Sequence, residues 1–155
     1  MLKKFFITLS ITLFAIFGVI NTAAADNLGD EQTAVNLLNN LRESQGLSPL
    51  AWNPSSTLQR AAELRAEEIT EEFSHTRPDG SSCFTVLKDF GLVYSMCGEN
   101  IAMGTYMTPQ KAMEMWTDSP SHYKNMVNSD FEEIGIGCYK IGNTVYWVQL
   151  FYTSR

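Results

Sequence analysis

The C-terminal stretch 134-IGIGCYKIGNTVYWVQLFY-152 decides the fold class of this chain. Apolar and small residues alternate from Ile134 to Cys138, and a period of two is typical of a β-strand. Gly142-Asn143 then supplies a tight turn, and the residues from Thr144 to Tyr152 are rich in β-branched and aromatic types. The stretch therefore predicts an antiparallel hairpin at the end of the chain.

Helical patterns precede this hairpin. Asp30 is a candidate N-cap for a first helix, and Asn53-Pro54 predicts the start of a second, with proline at the first helical position. Thr108-Pro109 and Ser119-Pro120 repeat this signal and predict two more helix starts. Helices followed by a hairpin favour an α+β layered domain. The apolar face of the first predicted helix consists of Ala34, Leu37, Leu38 and Leu41, and that of the second consists of Leu58, Ala61, Ala62, Ile69 and Phe73. The opposite side of the second helix carries five glutamates and is expected to face solvent: Glu63, Glu67, Glu68, Glu71 and Glu72.

The first 25 residues have the pattern of a signal peptide, with two lysines, an apolar run and Ala23-Ala24-Ala25 before an expected cleavage at Asp26. The alternative is an uncleaved membrane anchor, but the run is shorter than the ~20 residues that span a bilayer. We therefore expect residues 26–155 to form a single domain that is secreted or held at the cell envelope, with no stable membrane span after cleavage.

Composition limits the partners of this domain. The 155-residue chain is 18% charged and 45% hydrophobic, which excludes a disordered, collagen-like or disulfide-dense protein. Its net charge is −6, and loss of the leader, which holds two of the 11 basic residues and none of the 17 acidic ones, makes it −8. Since nucleic-acid binding needs clustered Lys and Arg, we expect no nucleic-acid partner.

The three cysteines, Cys83, Cys97 and Cys138, all lie in the exported part, where disulfides form. An odd number leaves one thiol over or makes an intermolecular bond. Cys83 and Cys97 are nearest in sequence and both flank apparent loops, so this pair is the predicted disulfide. Cys138 lies in a strand-like run and is expected to be a buried free thiol.

The polar residues with the clearest chemical potential are His75, His122 and Glu99. The chain has two histidines, His75 in a loop rich in turn residues and His122 near the start of the helix after Ser119. Glu99 stands between a glycine and an apolar stretch, which suits a partly buried carboxylate. Spacing alone allows these three side chains to converge but does not require it.

Four short motifs carry a resemblance to a known family. They are 73-FSHTRPDG-80, 98-GENIA-102, 116-WTDSPSHYKNM-126 and 134-IGIG-137. In this order they resemble the CAP superfamily of cysteine-rich secretory, antigen 5 and pathogenesis-related 1 proteins, also called the SCP domain. The match spans about Glu31 to Tyr152 and is closest to the bacterial secreted members.

The resemblance implies a three-layer α-β-α sandwich with a central antiparallel sheet and a cleft where two histidines and two acids meet. His75, Glu99 and His122 match three of these positions. The fourth acid of animal and plant members corresponds to Ser119, which removes one candidate base or ligand. The usual partners of Cys97 and Cys138 are also replaced, which strengthens the prediction of a local Cys83–Cys97 bond.

Two functions follow from the resemblance and from the cleft residues. The first is a binding module for a small ligand, such as a lipid or a divalent metal, or for an envelope or host protein. The site is a weak candidate for Zn²⁺ or Mg²⁺, and two imidazoles and a carboxylate can supply three ligands to zinc and leave one position open. The alternative is a metal-dependent hydrolase that activates water at the two histidines. Protein binding would use exposed Tyr106, Tyr123 or Tyr152, although packing in the core or at its rim is the favoured explanation of these tyrosines.

Overall fold

The structure is a computed structural model that describes residues 22–155, with side chains from Asn27 onward. The last four residues of the predicted leader open the first helix, and the rest of the leader lies outside the described residues. Within this range no helix is long and apolar enough to cross a bilayer. In chain order the elements are α1 Thr22–Ser44, α2 Thr57–Glu68, α3 Thr85–Asp89, β1 Tyr94–Thr105, α4 Pro109–Thr117, α5 Pro120–Met126, β2 Glu133–Ile141 and β3 Thr144–Ser154.

The described strands form one antiparallel sheet in the order β1-β3-β2. The predicted hairpin is confirmed as β2 and β3, with Gly142 at φ +56° in the turn. Strand β1 joins the other side of β3 and pairs Glu99 with Leu150 and Asn100 with Gln149. The sequence did not predict this strand, because glycine, glutamate and asparagine are weak strand formers. Pairing with β3 overrides that local preference.

Each face of the sheet has its own apolar core. One core includes Trp116, Trp147 and Phe151 and lies between the sheet and α1, α4 and α5. The other includes Ala62 and Leu150 and lies between the sheet and α2 and α3. This arrangement confirms the predicted three-layer α-β-α sandwich.

Two helix starts differ from the prediction. Asp30 lies inside α1 instead of capping it, and its carboxylate accepts a hydrogen bond of 2.9 Å from Lys140. Helix α2 begins at Thr57, because the hydroxyl of Ser56 caps the backbone N–H of Gln59, while Asn53 makes a local turn with Ser55. The Thr108-Pro109 and Ser119-Pro120 helix starts are confirmed by α4 and α5. Phe73, which was predicted to lie on the apolar face of the second helix, lies beyond the end of α2 and is 42% exposed.

Helix α2 lies almost directly on strand β2, because two glycines remove the side chains that would separate them. A Cβ on Gly135 would fall 2.6 Å from the carbonyl oxygen of Leu58, and one on Gly137 would overlap that of Ala62. Backbone atoms cannot move aside as a flexible side chain can. The alternating glycines of the hairpin motif therefore fix the distance between helix and sheet.

We expect Gly137→Ala to destabilise the protein by about 1–3 kcal/mol, since the added methyl group overpacks the contact between α2 and β2. Urea denaturation of the variant and the wild type measures this difference. The matched control is Gly29→Ala, where an added Cβ meets nothing within 4 Å. Equal stability of the two variants would contradict the close approach.

The free edge of β2 is covered by polar side chains from α1 and α2. Glu31 accepts a hydrogen bond of 3.2 Å from the Cys138 backbone N–H, and the Gln59 amide bonds both backbone groups of Ile136. Gln59 Nε2 lies within 3.1 Å of three acceptors, on Ile136, Glu31 and Glu63, but carries two protons. Two of the three acceptors therefore share one of these protons. Burial first and then the charge of Glu63 raise the pKa of Glu31 from 4.5 to about 8.

The raised pKa of Glu31 predicts that its contribution to the free energy of unfolding falls as the pH rises. A carboxyl group whose pKa is higher in the folded chain holds its proton more tightly there, so Glu31 contributes most below pH 4.5 and loses this contribution as the pH passes 8. Between these values the slope is at most ~1.4 kcal/mol per pH unit. Denaturation curves from pH 5 to pH 9 should be flatter for Glu31→Gln than for wild type. Glu43→Gln, on the exposed side of α1, should keep the wild-type slope.

Candidate functional site: a histidine held by a buried carboxylate

His75 lies in the loop after α2 and is anchored to strand β1 through its ring. Its Nδ1 is 2.7 Å from Glu99 Oε1, and its side chain is 54% exposed while that of Glu99 is 1% exposed. The backbone carbonyl of His75 also accepts a hydrogen bond of 3.0 Å from the Cys83 N–H. The histidine is therefore fixed on its inner side and open to solvent on its outer side.

Glu99 is balanced by a fully buried arginine. Arg65 of α2 donates from Nε to Glu99 Oε2 at 2.8 Å and from Nη2 to Oε1 at 3.3 Å. Burial raises the pKa of Glu99, but the hydrogen bonds from His75 and Arg65 outweigh it, so its pKa lies below the ordinary value. Glu99 is thus ionised, and both of its oxygens are already paired.

The same arginine holds the loop that carries His75. Arg65 Nη2 donates to the backbone carbonyl of Ser74 at 3.0 Å, and Nη1 donates to Glu68 at 2.7 Å. Glu68 in turn accepts hydrogen bonds from Arg77, which also bonds Asp89 of α3. The prediction that Glu68 belongs to a solvated face was wrong, because the loop folds back and places Arg77 over it.

His122 reaches the same region from α5. Its backbone carbonyl accepts a hydrogen bond of 3.1 Å from Asn100, the residue after Glu99. Asn100 is also bonded to Gln149 of β3 and Asn125 of α5, so the helix is tied to the sheet. Burial, and to a smaller extent the charge of His75, lowers the pKa of His122, which keeps its imidazole neutral at pH 7.

Ser119 occupies the N-cap position of α5, as the Ser-Pro step indicated, but its hydroxyl does not cap the helix. It lies 3.2 Å from the hydroxyl of Ser121. Ser119 is the position that the family resemblance matches to an acid of animal and plant members.

The predicted Cys83–Cys97 disulfide is not formed, and all three cysteines are free thiols. Cys83 is 3% exposed and faces Glu99, which contributes with burial to raising the pKa of its thiol to about 12. A nitrogen of His75, the Cys83 sulfur and a Glu99 oxygen lie within 4.8 Å of one another. Cys97 instead lies beside Tyr94. Cys138 is buried, as predicted.

The sequence reasoning missed Arg65 and the position of Cys83. Arg65 falls on the apolar face of α2, in line with Leu58, Ala61 and Ile69, so a charge interrupting an apolar stripe was the available signal. Its partner Glu99 is 34 residues away, and no local pattern identifies it. Of the candidate tyrosines, Tyr106 is 70% exposed with φ at +50°, Tyr123 is half-buried and Tyr152 is buried.

Removing Arg65 should be costly, because it leaves Glu99 as a buried charge with one partner fewer. We expect Arg65→Met to destabilise the protein by about 3–5 kcal/mol in chemical denaturation. Arg65→Lys should restore part of the loss, since an ammonium group keeps the charge but not the paired geometry. Lys111→Met, which breaks an exposed ion pair with Glu114, should leave the stability close to that of wild type. An Arg65→Met variant as stable as Lys111→Met would contradict this assignment.

Comparison with known proteins assigns the family and the fold of this chain. The family model for CAP, the cysteine-rich secretory protein family, matches residues 35–151. The protein YkwD of Bacillus subtilis is 36% identical over 123 residues, which cover 78% of this chain and 46% of that protein. The chain therefore belongs to the CAP family, and it spans less than half the length of the curated relatives it matches.

Solved structures agree with this assignment. An extracellular SCP-domain protein from Bacillus anthracis superimposes with a TM-score of 0.73 at 26% identity, over 81% of this chain and 41% of the other. An outer surface protein of Borrelia burgdorferi gives a TM-score of 0.73 at 23% identity, over 82% of this chain and 94% of the other. The second likeness shows the fold alone.

Proposed function

We propose that this chain is an exported binding module whose cleft takes a divalent cation of the zinc class at His75 and His122. The observation that carries the proposal is the half-exposed imidazole of His75, fixed at Nδ1 by a carboxylate that is itself 1% exposed. A carboxylate that orients a histidine and increases its basicity is a recurring support of metal-binding histidines. The extracellular relative supports the expectation of export.

The donor chemistry of the site fits zinc better than magnesium. Imidazole nitrogens are preferred ligands of Zn²⁺, whereas Mg²⁺ prefers oxygen ligands in a regular octahedron. Glu99, the acid deepest in the cleft, has both oxygens paired with Arg65 and His75. In this proposal Glu99 orients His75 instead of acting as a free oxygen ligand, which revises its expected role.

Protonation also favours cation binding near neutral pH. A histidine must be neutral to bind a metal, and the lowered pKa of His122 keeps it neutral to a more acidic pH than an ordinary histidine. A bound Zn²⁺ would supply Lewis acidity and, at an open position, a water of lowered pKa. The hydrolase alternative depends on that water, so ester hydrolysis by zinc-loaded protein separates it from simple binding.

Calorimetric titration of Zn²⁺ into the purified protein tests the proposal. We expect one site in wild type and an affinity at least tenfold weaker in both His75→Ala and His122→Ala. The matched controls are Thr76→Ala in the same loop and Lys124→Ala on the same helix, both exposed, which should bind as wild type does. Mg²⁺ should give no comparable heat. Unchanged Zn²⁺ binding in both histidine variants, or none in wild type, would overturn the proposal.

A further inference from the structure

We infer that Cys83 supplies a thiolate ligand to the cation in this cleft, next to His75. The inference rests on the proposed function, and it names the kind of cation: one that accepts sulfur, such as Zn²⁺, Cd²⁺ or Co²⁺, in preference to Mg²⁺ or Ca²⁺. It also gives a role to a buried thiol that forms no disulfide.

The positions of the donors carry this inference. The Cys83 sulfur lies within 4.8 Å of a ring nitrogen of His75 and of an oxygen of Glu99. Tetrahedral zinc, with bonds of about 2.0 Å to nitrogen and 2.3 Å to sulfur, separates two such ligands by ~3.5 Å. Rotation of the half-exposed His75 ring is the movement that would bring the two donors to this distance. The backbone hydrogen bond of 3.0 Å from Cys83 to His75 keeps the two residues adjacent.

The charges of the cleft favour a thiolate. The connected ion pairs of this region join two arginines to three carboxylates (Arg65, Arg77, Glu68, Asp89 and Glu99) and carry one net negative charge, so a dication bound by two neutral imidazoles would leave one uncompensated positive charge. Ionisation of Cys83 on metal binding would remove it. The reaction balances as loss of the thiol proton to solvent and formation of one metal–sulfur bond, with no change of oxidation state.

Co²⁺ is the probe for the metal–sulfur bond, because thiolate coordination gives cobalt an intense near-ultraviolet charge-transfer absorption that nitrogen and oxygen ligands do not give. We expect this band in wild-type protein kept reduced without added thiols. It should vanish in Cys83→Ser and persist in Cys97→Ser and Cys138→Ser, which remove the other two thiols. Zn²⁺ affinity should fall at least tenfold in Cys83→Ser alone.

The outcomes separate this inference from the proposed function. Calorimetric binding of Zn²⁺ without a cobalt–sulfur band, or a band that survives in Cys83→Ser, would overturn the role of Cys83 and leave the two-histidine site standing. Absence of binding would overturn both. If Cys83→Ser does not fold, X-ray absorption at the zinc edge of wild-type protein decides: a sulfur neighbour near about 2.3 Å supports the inference and a shell of nitrogen and oxygen alone refutes it.

Discussion

The position of the His75 imidazole depends on one buried ion pair, between Arg65 of α2 and Glu99 of β1. A carboxylate that is 1% exposed has lost its hydration, and this loss has to be offset by direct partners. Arg65 provides two hydrogen bonds to Glu99 and a third to the loop carbonyl of Ser74. The same guanidinium therefore keeps the acid ionised and holds the loop that presents His75 to it. This coupling explains why a charge lies inside an otherwise apolar helix face.

The ion pair keeps its hydrogen-bond geometry only if α2 lies at a fixed distance from the sheet. The glycines of the hairpin set that distance. Gly135 and Gly137 let the backbone of α2 approach β2 more closely than any side chain would allow. Arg65 is one turn further along the same helix face, so its guanidinium lies directly over the sheet. Helix α2 therefore packs on the sheet through Leu58 and Ala62 and binds Glu99 through Arg65. Because all three residues lie on the same helix, its packing on β2 also fixes the position of Arg65.

The sequence predicted the parts of the structure that local chemistry determines. The β2–β3 hairpin follows from alternation and a turn, and the α4 and α5 starts follow from a capping position before proline. The family motifs identified His75, Glu99 and His122. Strand β1 could not be predicted in this way, because its pairing with β3 comes from residues about 50 positions away. The partners of Arg65 and the contact of Cys83 with Glu99 are likewise long-range in the chain, and the nearness of Cys83 and Cys97 in sequence misled the disulfide prediction.

By the family resemblance Ser119 takes the position of an acid, and the proposed cation site would then have one carboxylate fewer. Both oxygens of Glu99 are paired with Arg65 and His75, so the carboxylate of the His75, Cys83 and Glu99 cluster is not free to bind a cation. A hydroxyl pair such as Ser119 and Ser121 offers dipoles but no charge. The neutral group of this cluster that could become an anion is the thiol of Cys83. Burial, and then the charge of Glu99, raise its pKa and so favour its neutral form in the metal-free protein. In the proposed site the missing acid and the buried thiol of Cys83 are complementary, because together they would favour nitrogen and sulfur ligands over hard oxygen ligands.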